Sequence, residues 1–343
     1  MRPNVDLFLI RDSLRECQET TYFSGKLHTF TARLIEVIDH VLQNEQSLGP
    51  DIVRAFASHA LSANRYLAGS TTKESPYEIE YCLQAVIPKW SKRDCLITTA
   101  LTDERDFHFR PTDPWAFVKA ALPGYATSGF DPLLVQLGVP RVYSHKPLFC
   151  VPLYHELGHF VDISNGVTNL SSLIQRPNSA WELQHRLEHF ADIFAAAYIG
   201  RCSIRALEMI APNNPTTTTH PSTADRVALV EDFLAGRNTG IIPLFQACLQ
   251  QLGLPPLQIE HVALNLDPAF DDIRTHSITS KGELHGIFNS AWVYLENTLD
   301  NRSAPWIAPS STTADIERVV NDLTEKSIRN ASIKERWESG ATP

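Results

Sequence analysis

The chain is 343 residues long and 43 % hydrophobic, enough to bury one large core or two modest ones. Its 30 basic and 39 acidic side chains leave a formal charge of -9, which argues against a nucleic-acid partner held by phosphate neutralisation. No run of about 18 apolar residues offers a membrane span, and the apolar stretch 5–10 is interrupted by Asp6 and too short for a signal-peptide core. A cytoplasmic protein without a membrane span is therefore expected. Cys17, Cys82, Cys95, Cys150, Cys202 and Cys248 stand singly, with no C-x-x-C pair. Reduced, mostly buried thiols are expected, rather than a disulfide framework or a cysteine metal site.

In chain order, residues 12–46 read as helical, with Leu34, Ile35, Ile38, Val41 and Leu42 recurring at helical spacing. A second helix is expected from Asp51, as N-cap, to Leu67, ending at the breaker "AGSTTKESP" over 68–76. A helix over 77–90 precedes "CLITTAL", of strand composition, and the alternating "DFHFR", which together suggest a small sheet. Asp113 and Pro114 would start another helix, followed by a Gly- and Pro-containing connector to about Pro147.

Beyond it, segments 148–164, 180–199, 202–211, 222–235, 240–252, 281–299 and 313–336 read as helices, and no fixed-period repeat is visible. The expected class is α+β, mainly helical, with one minor sheet before the helix at 148–164. Three regions are expected: an N-terminal helical region 1–75, a core 76–240 and a C-terminal helical region 241–343.

Chemistry concentrates in "LYHELGHFVD", residues 153–162. On a helix, His155 and His159 project from one face at a separation that lets two imidazoles grip one ion. Glu156 lies about 100° round from His155, suited to a water rather than to the ion. Zinc lowers the pKa of a bound water toward ~7 and the glutamate takes its proton as the water attacks a carbonyl. The flanking residues are uncharged, as a buried active-site helix requires, and Asn165-Gly166 supplies a helix stop.

A catalytic zinc needs a third protein ligand. Asp162, one turn beyond His159, is one candidate. The better one lies on the amphipathic segment 180–200, where Glu188 and Asp192 are four apart and share a face that continues into Ala195, Ala196 and Ala197. Such small residues allow close packing against the motif helix, with Glu188 on the ion and Asp192 accepting the second ring N–H of a ligand histidine. His185 and His189 are competing ligands. In "TTTTHPSTADRV", Ser222 and Asp225 form a capping box. His220, in the loop before it, and Arg226 are candidates to stabilise an oxyanion.

"HELGH" followed by "EHFADIFAA" resembles the gluzincins, zinc peptidases with an H-E-x-x-H helix and a glutamate ligand on a later helix. The E-x-x-A-D pattern is similar to that of the CAAX-prenyl/heat-shock membrane endopeptidases and the ImmA/IrrE-type regulatory peptidases. "THPSTADR" resembles a T-H-P segment, with a following arginine, of the first branch. The resemblance covers roughly residues 150–230. It implies a zincin-like core, Zn2+ held by His155, His159 and Glu188, Glu156 as general base, Asp192 behind a ligand, His220 as transition-state stabiliser and Arg226 in support. The chain departs from the membrane branch in lacking spans, which favours a soluble peptidase.

The expected activity is thus zinc-dependent cleavage of a protein or peptide substrate, with regulated limited proteolysis and a regulatory protein partner as further expectations. Two alternatives stay open: a zinc hydrolase of a small amide, or an inactive zinc-binding module; and a metal-free helical interaction protein. Glu182, His145 and His285 read as ordinary structure, while Tyr154 and Tyr198 are candidate hydrogen-bond donors to substrate.

Overall fold

Ser24 and Gly25 interrupt what periodicity reads as one helix over 12–46. In the computed structural model, which describes residues 3–22, 24–71, 77–112, 114–122, 125, 131–301 and 304–338, the N-terminal segment is two helices, α1 (Pro3–Gln18) and α2 (Gly25–Gln43). Ser24 takes extended backbone angles and its hydroxyl accepts from the N–H of Lys26, so it caps α2 where a continuous helix would have run through. After the single turn α3 (Glu45–Leu48) comes α4 (Pro50–Gly69). Its N-cap is Gly49, with Pro50 in the first turn; Asp51 lies one place inside, where its charge complements the helix dipole.

The chain continues through α5 (Tyr77–Val86), β1 (Cys95–Thr102), β2 (His108–Thr112), α6 (Pro114–Ala121) and β3 (Leu133–Pro140). Asp113, expected to start α6, lies outside the described residues. Strand order is β1-β3-β2, with β3 parallel to β1 (Cys95 opposite Leu133) and antiparallel to β2 (His108 opposite Gly138). β3 occupies part of the segment read as a connector. It is the central strand and buried along nearly its whole length, so "LLVQLGVP" lacks the alternation that marks a half-exposed strand.

Two compact units emerge, Met1–His145 and Lys146–Pro343, rather than a division at 75 and 240. In the first unit Leu7, Phe30, Leu34 and Phe56 of the helices share one apolar core with Leu96 and Leu134 of the sheet and Trp115 of α6, which leaves no boundary at 75. The minor sheet and the "HELGH" segment therefore belong to different units.

Among the described residues of the second unit every regular element is a helix. Its elements are α7 (Leu153–Asn165), α8 (Val167–Ile174), α9 (Ala180–Ile199), α10 (Cys202–Ile210), α11 (Thr223–Leu234), α12 (Ile242–Gln251), the short α13 (Asp267–Phe270), α14 (Lys281–Asn301) and α15 (Thr313–Glu338). α9 is the hub, packed by α7, α8, α10, α11 and α14, while α12 packs on α8 and α15 on α14; helices beyond 240 thus complete the same unit. α7 starts five residues later than 148: Pro147 opens a 3-10 turn over 147–149, and Pro152, which disfavours helical backbone in the residue before it, stands at the N-cap of α7.

Gly166, at φ 71°, ends α7 in the left-handed region as its sequence position suggests. The helix that follows at once, α8, is not signalled by its Thr-, Asn- and Ser-rich sequence. Asp162 supplies what that sequence lacks, accepting from the backbone N–H of Thr168 at 2.7 Å and from the Thr168 hydroxyl.

The molecule is α+β and mainly helical. No helix among the described residues is long and apolar enough to cross a membrane. All six cysteines are buried thiols.

Candidate metal centre

α7 and α9 present matching stripes to each other. His155, Gly158, His159 and Asp162 follow i, i+3, i+4, i+7 on α7, and Glu188, Ala191, Asp192 and Ala195 repeat that spacing on α9. At the crossing, a Cβ on Gly158 would come within 2.8 Å of Ala191 Cα. Glycine is therefore required there, and the close approach it permits is what brings polar groups of the two helices into contact. His155 faces both Glu188 and Asp192 while His159 faces Glu188, so the two helices run in opposite directions past the site.

The Nε2 atom of His155 lies 3.4 Å from Glu188 Oε2, and that of His159 lies 3.5 Å from Glu188 Oε1. An ion holding N and O ligands at 2.0–2.2 Å with tetrahedral angles sets those ligand atoms roughly 3.3–3.6 Å apart. The donor set, two neutral-capable imidazoles and a carboxylate, is one that zinc accepts, and each imidazole stands at that spacing from one of the two carboxylate oxygens. Ligand-type atoms of His155, Glu156 and His159 also lie within 4.8 Å of one another, which makes Glu156 a rival third ligand. Glu188 has the stronger claim, because its two oxygens face both Nε2 atoms from the opposing helix. Glu156, between the histidines in sequence, remains within reach of the same point.

Behind the histidines stands a pair of buried charges. Arg226 of α11 donates from Nε and Nη2 to the two oxygens of Asp192, each at 2.7 Å, a bidentate arrangement. Its Nη2 is also 3.4 Å from Glu188 Oε2. Asp192 Oδ1 in turn lies 3.0 Å from His155 Nδ1. That contact is short but poorly aligned, since Nδ1 has no partner meeting hydrogen-bond angles; charge attraction rather than a straight bond orients the ring. The carboxylate still favours a proton on Nδ1, leaving Nε2 to face Glu188.

These contacts set the protonation pattern. Burial lowers the His155 pKa, but Asp192 and Glu188 outweigh it and push the imidazole up to about 10. Burial would raise Glu188, yet His155, His159 and Arg226 bring it down to about 2. Burial acts on Asp192 in the same direction and is likewise overcome, chiefly by Arg226, so it is held well below the carboxylate range. His159 is lowered by burial and by His155 to about 4, against the opposing pull of Glu188 and Asp192. A proton on His155 and a cation at Nε2 are thus competitors for the same carboxylates.

His220 arrives from the loop between α10 and α11. Its Nε2 is 3.6 Å from Glu188 Oε1 and its side chain is 55 % exposed, so it borders the centre from the solvent side. Ser222 caps α11, its hydroxyl accepting from the N–H of Asp225 and donating to the Asp225 carboxylate.

The remaining candidates fall elsewhere. Asp162 faces Thr168, not the imidazoles. His185 points to the backbone oxygen of Thr217, at 2.8 Å, and burial lowers the pKa of His189; neither is among the residues gathered at Glu188. Tyr154 bonds His285 at 2.9 Å, and with Tyr198 all three are buried, which removes both tyrosines as donors to an incoming ligand. Glu182 belongs to the N-terminal turn of α9, where Ser179 caps it. Comparison with family models, with curated proteins and with solved structures finds no match for this chain. The centre is read from its own geometry.

Proposed function

We propose that this chain is a zinc-dependent hydrolase of peptide bonds. The observation that carries the reading is that Glu188, from the opposing helix, sets one carboxylate oxygen 3.4 Å from His155 Nε2 and the other 3.5 Å from His159 Nε2, each close to the spacing of two ligand atoms on one tetrahedral ion. His155, His159 and Glu188 would hold the ion, which supplies an acidified water and a polarised carbonyl.

The chain's own groups provide the rest. Glu156 accepts the proton of the attacking water on its carboxylate and passes it to the departing nitrogen. Asp192, held by Arg226, keeps the His155 ring oriented. His220, on the open side, donates from Nε2 toward the oxygen of the substrate carbonyl as negative charge develops there. The likeness of "HELGH" and "EHFADIFAA" to gluzincin motifs supports the same assignment of roles.

The test is elemental analysis of the protein purified without chelators, in the wild type and in Glu188→Ala and Asp162→Ala. About one zinc per chain, lost with Glu188 and kept without Asp162, is the expected result. Protein without stoichiometric metal would return the two histidines to core packing. Incubation with a peptide library, read for new termini, separates a peptidase from a hydrolase of small amides.

A further inference from the structure

We propose that His185 is a positioning residue that tethers the His220 loop to α9. The catalytic consequence rests on the peptidase reading above; the structural one does not. Residues 212–220 are exposed and form neither helix nor strand. Such a segment has many conformations of similar energy, so a histidine delivered from it keeps a fixed place only if the loop is tied down.

The base of the loop is closed by Thr223. Its N–H donates to Asn214 O at 3.0 Å, its hydroxyl donates to Ala211 O at 2.6 Å, and its Oγ1 accepts from the Asn214 N–H at 3.1 Å. The tip is a turn bonded to itself. Thr217 N–H donates to His220 O at 2.8 Å, His220 N–H donates to Thr217 Oγ1 at 3.0 Å, and Thr219 Oγ1 pairs with His220 Nδ1 at 2.8 Å. These bonds close the tip on itself without fixing its location and, being exposed to water, they open more readily when the tip is not held in place.

Buried Pro221 anchors one side of that turn. Among the described residues the other side is anchored by His185, whose Nε2 lies 2.8 Å from Thr217 O. A carbonyl oxygen only accepts, so Nε2 carries the hydrogen. His185 sits one turn before Glu188 on α9. The bond therefore refers the tip to the helix that bears the carboxylate, and His220 Nε2 ends 3.6 Å from Glu188 Oε1.

Four variants test this: His185→Ala, His185→Gln, His220→Ala and the double alanine. Glutamine places a side-chain N–H about where Nε2 stands, so it retains the donor. The readouts are hydrogen exchange at the Thr217 and His220 amides, kcat and KM on a cleaved peptide, and zinc per chain. Expected is faster exchange at both amides in His185→Ala, a kcat lowered roughly 10–100-fold with KM little changed, and unchanged zinc. Glutamine restores both exchange and kcat, and the double variant is scarcely worse than His220→Ala.

Unchanged exchange in His185→Ala overturns the tether. So does failure of glutamine to restore it, or a double variant whose loss is the product of the two single losses. Should the wild type hold no metal and cleave nothing, the peptidase reading falls, and the exchange measurements alone still decide whether His185 holds the loop.

Discussion

The two ends of the α7–α9 pair both bury charge, and they use it differently. At one end Asp162 and Arg186, each 1 % exposed, face α8. Asp162 accepts from the Thr168 N–H and hydroxyl near the start of that helix. Arg186 donates to Ser171 O at 3.0 Å and Gln175 O at 2.9 Å near its finish, and pairs with Glu182. At the other end Glu188, with Asp192 and Arg226 behind it, meets two imidazoles. Buried charge that is satisfied by main-chain groups caps a helix. Buried charge whose partners are other ionisable side chains makes a centre that, under the function proposed above, a cation would enter in place of a proton.

The largest effect expected to separate the two ends is on turnover. Glu156→Gln should keep its zinc and lower kcat by about 10²–10⁴-fold; equal loss of zinc and activity would instead make Glu156 a ligand. Next come the arginines. Arg226→Met leaves Asp192 buried beside His155 without its bidentate partner, and should cost about 3–5 kcal/mol in urea unfolding together with lower zinc content. Arg186→Met removes donors from the α8 carbonyls and should cost about 1–3 kcal/mol with zinc unchanged. Matching zinc losses in both would erase the distinction.

Smaller again is Asp192→Asn, which keeps shape but weakens the hold on His155 Nδ1; competition with a chelator should report about a 10–100-fold loss of zinc affinity. The pH dependence of stability gives the mildest test. Burial raises the Asp162 carboxyl from 3.8 to about 6, the Thr168 bonds opposing the rise. Its folded pKa is above the unfolded one, so its stabilising contribution is complete below the unfolded pKa and is lost as pH rises through the folded pKa. A rise of that size corresponds to about 3 kcal/mol of pH-dependent stability. Asp162→Asn should flatten unfolding free energy between about pH 4 and 6, and an undiminished slope would assign that titration to another group.

Much of the centre is readable from residue order alone, because helical spacing converts position into direction. His155, Glu156 and His159 follow from one turn of helix, and Glu188 and Asp192 from carboxylates set in an otherwise apolar stripe. What could not be read depends on partners distant in the chain. α8 has weak helix formers and is held by Asp162 from one helix and Arg186 from another. β3 lacks alternation because it is buried along nearly its whole length, with α4 and α6 packed on it. The bond of His185 to Thr217 spans 32 positions, and only the return of the loop onto α9 reveals it. Division into two units depends on which apolar faces meet, although its boundary falls near the end of the Gly- and Pro-containing connector.

Written as a pattern, H-E-x-x-H leaves two positions open. In this fold the second of them is closed. A side chain at 158 would meet the main chain of α9 first, with Ala191 Cα at 2.8 Å and Ala191 O at 3.2 Å, so shrinking residue 191 to glycine would not make room. Tolerance at 158 cannot be restored by a single compensating change across the interface. The distance between α7 and α9 is a backbone dimension, gauged by one missing methyl group.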